Sequence, residues 1–222
     1  MAAVMWRLAQ RSPVEFIQLI IIIVVSLTVH EFAHSLVTIS LGDDTPRRQG
    51  RLTLNPLAHI DIIGFIMLLI AGFGWAKPVQ INPANLKKPR RDEILIALAG
   101  PASNMVFAVV AVIVIWAVVT THALVNQSSL QAFGGFMVGL AAINVSLALF
   151  NIIPIPPLDG SHLITVFLGR VNMALAATYF RYGSLALLAI FVVQFVTGIQ
   201  ILPIGRVSYA IVLWMLRLLG SI

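Results

Sequence analysis

His30, Glu31 and His34 spell H-E-x-x-H inside a stretch that otherwise reads as hydrocarbon, Phe16–Leu41 (FIQLIIIIVVSLTVHEFAHSLVTISL). On a helix this spacing sets two imidazoles one turn apart on one face, where both can hold a single zinc ion, with a carboxylate between them. Zinc polarises a carbonyl and draws the pKa of bound water down to about 7; a nearby glutamate can then take the water's proton and pass it to a leaving amine. The chemistry that these residues allow is metal-assisted hydrolysis. Their setting is costly, because each ionisable group at bilayer depth costs at least ~2.5–3.5 kcal/mol on insertion scales. Ser26, His30, His34 and Thr38 recur every fourth residue and form one polar stripe. Hydrolysis consumes water, so the stripe is expected to wall a hydrated slot.

Catalytic zinc takes three protein ligands and leaves a fourth position open. The 222 residues contain no cysteine, so the third ligand must be His, Asp or Glu. Candidates near apolar segments are His59, Asp61, His122, Asp159 and His162. Asp159 stands out for its surroundings in Asn151–Gly160 (NIIPIPPLDG), where Pro154, Pro156 and Pro157 lack amide hydrogens and end an apolar span. Irregular backbone at that depth is tolerated only where it is buried in protein or lines a wet cavity. Plainer roles exist for each feature. HEFAH could be a polar cluster bonding neighbouring helices. Asp159 could cap a helix beginning near Ser161, and Asn151 could satisfy carbonyls that Pro154 frees.

The elements that must position these residues are membrane spans. Apolar residues make up 59% of the chain and charged residues 10%, with a mean hydropathy of +0.99; soluble domains hold about 45–50% and about 25%. The net charge of +6 is spread thinly, without the basic block of a nucleic-acid binder. Besides Phe16–Leu41, four segments read as spans: Ile94–Val119, Phe133–Ile153, Tyr179–Leu202 and the shorter Ile204–Leu219. Ile62–Ala76 is only ~22 Å long as a helix and carries Gly64, Gly72 and Gly74, which points to a re-entrant or interfacial segment. Gly50–Leu57 alternates well enough for a short strand or edge hairpin. The fold class is therefore an all-α polytopic membrane protein of about five transmembrane helices plus that short segment. Residues 1–222 form one domain, with the core motifs within 14–170 and accessory spans at 179–219.

With these motifs in place, the chain resembles the site-2 protease family of intramembrane zinc metalloproteases. His30–His34 matches the first family motif; Asn151, Pro154 and Leu158-Asp159-Gly160 match the second. Ala99-Gly100-Pro101 with Asn104 resembles the opening of the core helix between them, and small residues there allow close helix approach. Gly74–Val79 (GWAKPV) looks like a marker of the compact subgroup without a PDZ or CBS domain. The resemblance implies a three-helix catalytic core and one zinc ion per chain held by His30, His34 and Asp159. It makes Glu31 the acid–base and Asn151 a donor to the substrate carbonyl. It also implies cleavage of transmembrane protein substrates in regulated intramembrane proteolysis, in a multi-pass protein of the bacterial inner membrane that contacts lipid and no nucleic acid. Oligomeric state is left open. A shared zinc requires the helices bearing His34 and Asp159 to run the same way. That places the N-terminus outside and the basic connectors at 47–51 and 77–91 inside, in accord with the positive-inside rule. Two other readings use the same residues: a metal transporter with this cluster as its transit site, and an inactive scaffold. A transporter would show stacked sites and repeated halves, and a scaffold has no use for Glu31.

Overall fold

The computed structural model describes residues 10–71, 74–121 and 126–220; Trp6, Gly72 and His122 lie outside them. Among the described residues there are eight α-helices and no strand. In order they are α1 (Pro13–Ser40), α2 (Thr45–Arg48), α3 (Ile62–Ala71), α4 (Pro89–Thr120), α5 (Gln127–Asn151), α6 (Ser161–Val171), α7 (Met173–Thr197) and α8 (Ile204–Leu218). Helices α1, α4, α5 and α7 are long and apolar enough to cross a membrane, so this is an all-α multi-pass membrane protein. The expected fifth span is α8, whose 15 residues reach only ~22 Å, short of a ~30 Å hydrocarbon core. It packs on α5 and α4 instead, burying Ser208, Val212 and Leu216.

Local chemistry sets the helix ends. Pro13 and Pro89 open α1 and α4 where a missing amide costs nothing. Asn126 caps α5 through Ser128 N. Asn172 caps α7 through the amides of Ala174 and Leu175, which is why this span begins at Met173 rather than near Tyr179. Helix α6 fills part of what reads in the sequence as connector.

Helices α1, α4 and α5 pack against one another as the core. Ala108, Ala111 and Ala141 are almost wholly buried among Ile22, Val112, Ile115 and Val145. Lipid offers no hydrophobic drive between helices, so such small residues, which let backbones approach, do much of the packing. Outward-facing residues such as Ile17, Val106, Ile113 and Phe195 are exposed apolar groups suited to acyl chains.

Segment 62–76 turns back on itself. Ile60 and Ala76 form an antiparallel bridge, and Lys77 N donates to His59 O at 2.8 Å. Gly64 lies so close to Trp75, and Gly74 to Gly64, that a Cβ would clash at either position. The two ends of the segment meet, so it leaves and re-enters on one side, and α1 and α5 run in the same direction with α4 opposed. The strand expected over Gly50–Leu57 does not form. Asn55 instead caps a 3-10 turn at Pro56–Ala58, and Thr53 O accepts from His59 Nε2. The Arg51 guanidinium donates to the carbonyls of Ala58 and Lys77. Thr53 O and Leu57 N, which a ladder would need, are taken by the side chains of His59 and Asn55.

Asp43, fully buried just beyond α1, ties this connector to the next. Its Oδ1 accepts from Thr45 N, Thr45 Oγ1 and Asn85 Nδ2, and its Oδ2 from Asn82 N at 2.7 Å. Burial pushes the carboxyl pKa up, but these donors outweigh burial and hold it below the ordinary value. A depressed folded pKa stabilises the protein above the ordinary carboxylate range near ~4, and that stabilisation is lost as pH falls through the folded value. Asp43→Asn should therefore destabilise the protein at pH 7 by roughly 3 kcal/mol. Thermal unfolding in detergent checks this: the gap between wild type and variant should close as pH drops below about 4.

Candidate metal centre

Helix α1 places His30, Glu31 and His34 on its buried side. The Nε2 atoms of the two histidines lie 3.0 Å apart. Asp159, delivered by the proline loop after α5, brings Oδ2 to 3.1 Å from His30 Nε2 and 3.4 Å from His34 Nε2. Residues 125 positions apart in the chain, His34 and Asp159, thus meet at one point.

The proton positions follow from the other ring nitrogens. His34 Nδ1 sits 2.7 Å from the carbonyl oxygen of Ile96, and His30 Nδ1 sits 2.6 Å from Asn104 Oδ1. The Asn104 amide is fixed because its Nδ2 donates to the Ser26 carbonyl and to Asn144 Oδ1. Asn144 in turn donates to Ser26 Oγ and to Leu140 O. Both partners of the imidazoles can only accept, so each Nδ1 carries hydrogen and each Nε2 is turned toward the other ligand atoms, with a lone pair to give when its ring is neutral. Asp159 Oδ2 is buried and takes no hydrogen bond. Three groups able to give an electron pair therefore converge, an arrangement that a cation, proton or metal, must hold together.

The donor set fits zinc. Bonds of about 2.0–2.1 Å in tetrahedral array separate ligand atoms by about 3.3 Å, and the three edges here are 3.0, 3.1 and 3.4 Å. Helix α4 clears the space with Gly100, where a Cβ would lie 2.5 Å from His30 Cε1 and 2.6 Å from His30 Nε2. Ordering of ligating imidazoles through their second nitrogen is the usual device of metal sites. Glu31 is buried, and its carboxylate enters no hydrogen bond or ion pair among the described residues.

Other candidates are engaged elsewhere. Asp61 Oδ1 accepts from Gly64 N at the start of α3; His59 is buried against Thr53 O; His162 stacks edge-on to Phe180; His122 lies outside the described residues. Helix α6 does begin at Ser161, yet no side chain caps it, so Asp159 is not spent there. Asn151 stands at the end of α5 with one amide hydrogen given to Leu147 O at 3.0 Å; its carbonyl accepts from Gly160 N, and among the described residues no side-chain hydrogen bond joins it to the three ligand groups. The polar stripe is not a wet wall. Ser26 and Thr38 are fully buried, Ser26 against Asn144 and Thr38 bonded to His34 O. The open edge of the cluster is the side of Asp159, whose side chain is 22% exposed.

Ile96 and Asn144 went unnoticed in the sequence. A backbone carbonyl leaves no trace in a sequence. Asn144 did leave one, being an amide in the middle of an apolar helix, the kind of residue that bonds across helices in lipid.

Comparison with known proteins leads to the same chemistry. The model of Peptidase family M50 matches residues 18–194. Relatives named "Putative zinc metalloprotease" include YwhC of Bacillus subtilis, 38% identical over 181 residues, covering 78% of this chain and 80% of YwhC. Rip2 of Mycolicibacterium smegmatis is 31% identical over 157 residues, 67% of this chain and 58% of its own. Rip2 of Mycobacterium tuberculosis is 27% identical over 180 residues, 78% and 66%. No solved structure matches. The match runs from α1 through most of α7 and takes in every residue of the cluster: this chain belongs to peptidase family M50, the site-2 proteases, and is a zinc metalloprotease.

Proposed function

We propose that this protease hydrolyses peptide bonds within or beside transmembrane segments of other membrane proteins, in the bacterial inner membrane. The observation that carries the reading is the depth of the cluster. His34 lies six residues, ~9 Å, inside the end of α1. Gly100 lies six residues inside Ile94, where α4 turns apolar after Lys87–Arg91. A metal centre at that depth is far from soluble chains and close to unwound membrane helices. Bacterial relatives and the substrates that the family resemblance implies point the same way.

The residues divide the work by chemistry. Zinc, when bound, supplies a Lewis acid and a water of lowered pKa. His30 and His34 offer neutral Nε2 atoms held in orientation by Asn104 and Ile96, and Asp159 adds the one negative charge among the ligands. Glu31, uncommitted and adjacent in sequence to His30, takes a proton from water and returns it to the leaving nitrogen. Asn151 keeps one amide hydrogen for the substrate carbonyl, a neutral donor that costs less at this depth than Arg would. Water arrives at the open edge beside Asp159.

The test uses the purified protein in liposomes with a model single-span substrate. Mass spectrometry should place the cut within or beside the apolar segment, with cleavage abolished by chelation and restored by zinc. Cuts confined to distant soluble flanks, or activity indifferent to chelation, would remove the proposal.

A further inference from the structure

We propose that the last long span, α7, positions the third metal ligand, with Tyr179 and Gly183 bracing the loop that carries Asp159. This rests on the reading of Asp159 as a ligand. The loop is held by local turns rather than by a helix or a ladder. Three of its residues are prolines without amide hydrogens, and its backbone bonds are short-range, among them Ile155 N to Ile153 O, Leu158 N to Ile155 O, Gly160 N to Asn151 O and His162 N to Asp159 O. Asp159 Oδ2 takes no hydrogen bond that would fix the carboxylate directly. Its placement must come from the loop's supports.

Those supports come from α7 on both sides of Asp159. Upstream, the Tyr179 hydroxyl donates to Pro154 O at 2.6 Å. Pro156, fully buried, lies flush against Gly183, where a Cβ would come within 2.5 Å of Pro156 Cδ. Downstream, the Phe180 ring meets His162 edge-on with centroids 6.2 Å apart. Tyr179 is six residues into α7, ~9 Å along the helix, the same depth that His34 has in α1. A hydroxyl at that depth needs a partner, and here the partner is a carbonyl of the ligand loop.

These contacts are not a by-product of core packing. By helix-to-helix packing α7 neighbours α6 among the described residues, and its Phe191 meets Phe150 of α5 with ring centroids 5.8 Å apart. Most of its apolar side chains, Leu185, Val192 and Phe195 among them, are exposed. A span with most of its apolar surface turned outward, yet touching the loop at Pro154 and Pro156 and the start of α6 at His162, has the geometry of a brace. It also makes zinc affinity sensitive to anything that displaces α7. Tyr179 and Gly183 are thus positioning residues acting through Asp159.

The experiment measures zinc affinity of the full-length protein in detergent by competition with a chromophoric chelator. Tyr179→Phe should weaken binding about 10- to 100-fold, the range for losing an outer support of a metal ligand, without changing thermal unfolding of the metal-free protein. Gly183→Ala should weaken it at least as much, and Val192→Ala not at all. In an Asp159→Asn background, Tyr179→Phe should add nothing further. Wild-type affinity in both Tyr179→Phe and Gly183→Ala, or an undiminished Tyr179→Phe effect in the Asp159→Asn background, overturns the brace. Wild-type affinity in Asp159→Asn alone would overturn the ligand assignment beneath it.

Discussion

Glu31→Gln should retain one zinc per chain and lose about 10²- to 10⁴-fold in kcat, the usual contribution of a positioned acid–base group. The prediction has this size because the substitution changes charge and basicity but not shape. Glu31 is buried and commits its carboxylate to no partner, so no hydrogen bond or ion pair is broken in the ground state. The metal-binding nitrogens belong to His30 and His34, each held from its far side by Asn104 or Ile96, and neither hold involves Glu31. Zinc content should therefore stay at the wild-type level while turnover collapses, with KM little changed. Bound zinc measured by atomic absorption, alongside cleavage of the liposomal substrate, separates the two effects. Wild-type turnover in Glu31→Gln would show that the proton moves through another group. Loss of zinc would show instead that Glu31 supports the ligands.

The contrast between what the sequence discloses and what it hides follows from physical range. His30, Glu31 and His34 sit within five residues, so local helical geometry alone brings them to one face. Asp159 is recognisable by its cost: a carboxylate between prolines at the end of an apolar span has to have a reason. The spans were legible because a bilayer demands long apolar runs, and the turn-back of 62–76 because the run is too short. Helix α8 was legible nearly to the residue, Ile204–Leu219 expected against Ile204–Leu218, but the packing of Ser208, Val212 and Leu216 on its neighbours was not. The strand over Gly50–Leu57 failed because the side chains of Asn55 and His59 take up its backbone groups at Leu57 and Thr53, an arrangement that alternation does not encode. The hydrated stripe failed likewise: Ser26 is paired with Asn144 from a helix 118 residues away. Pairings at such separation require the folded chain.

Gly100→Ala should behave in the opposite way to Glu31→Gln, with the fold kept and the metal lost. Gly100 is within helix α4, and an alanine there favours the helix by roughly 1 kcal/mol. That gain offsets part of the cost of displacing an imidazole, so the metal-free protein should lose no more than about 2 kcal/mol. The added methyl has no room at the metal centre, however. It would stand 2.5 Å from His30 Cε1 and 2.6 Å from His30 Nε2, and against His34 Nε2, where real Cβ contacts below 3.0 Å essentially never occur. Neither imidazole can retreat along α1 without leaving Asn104 or the Ile96 carbonyl, and a buried donor stripped of its partner costs about 1–3 kcal/mol. Ligand positions must hold to within about 0.2 Å for a metal site to persist. The methyl exceeds that tolerance on both histidines together, so zinc affinity should fall by at least about 100-fold. Chelator competition and unfolding of the metal-free protein, measured on one preparation, give the decisive pair of readings. Affinity unchanged from wild type would mean that α4 does not abut the ligands. A fall in affinity together with a loss of metal-free stability well beyond about 2 kcal/mol would mean that the methyl disrupts helix packing at large rather than the space between the two imidazoles.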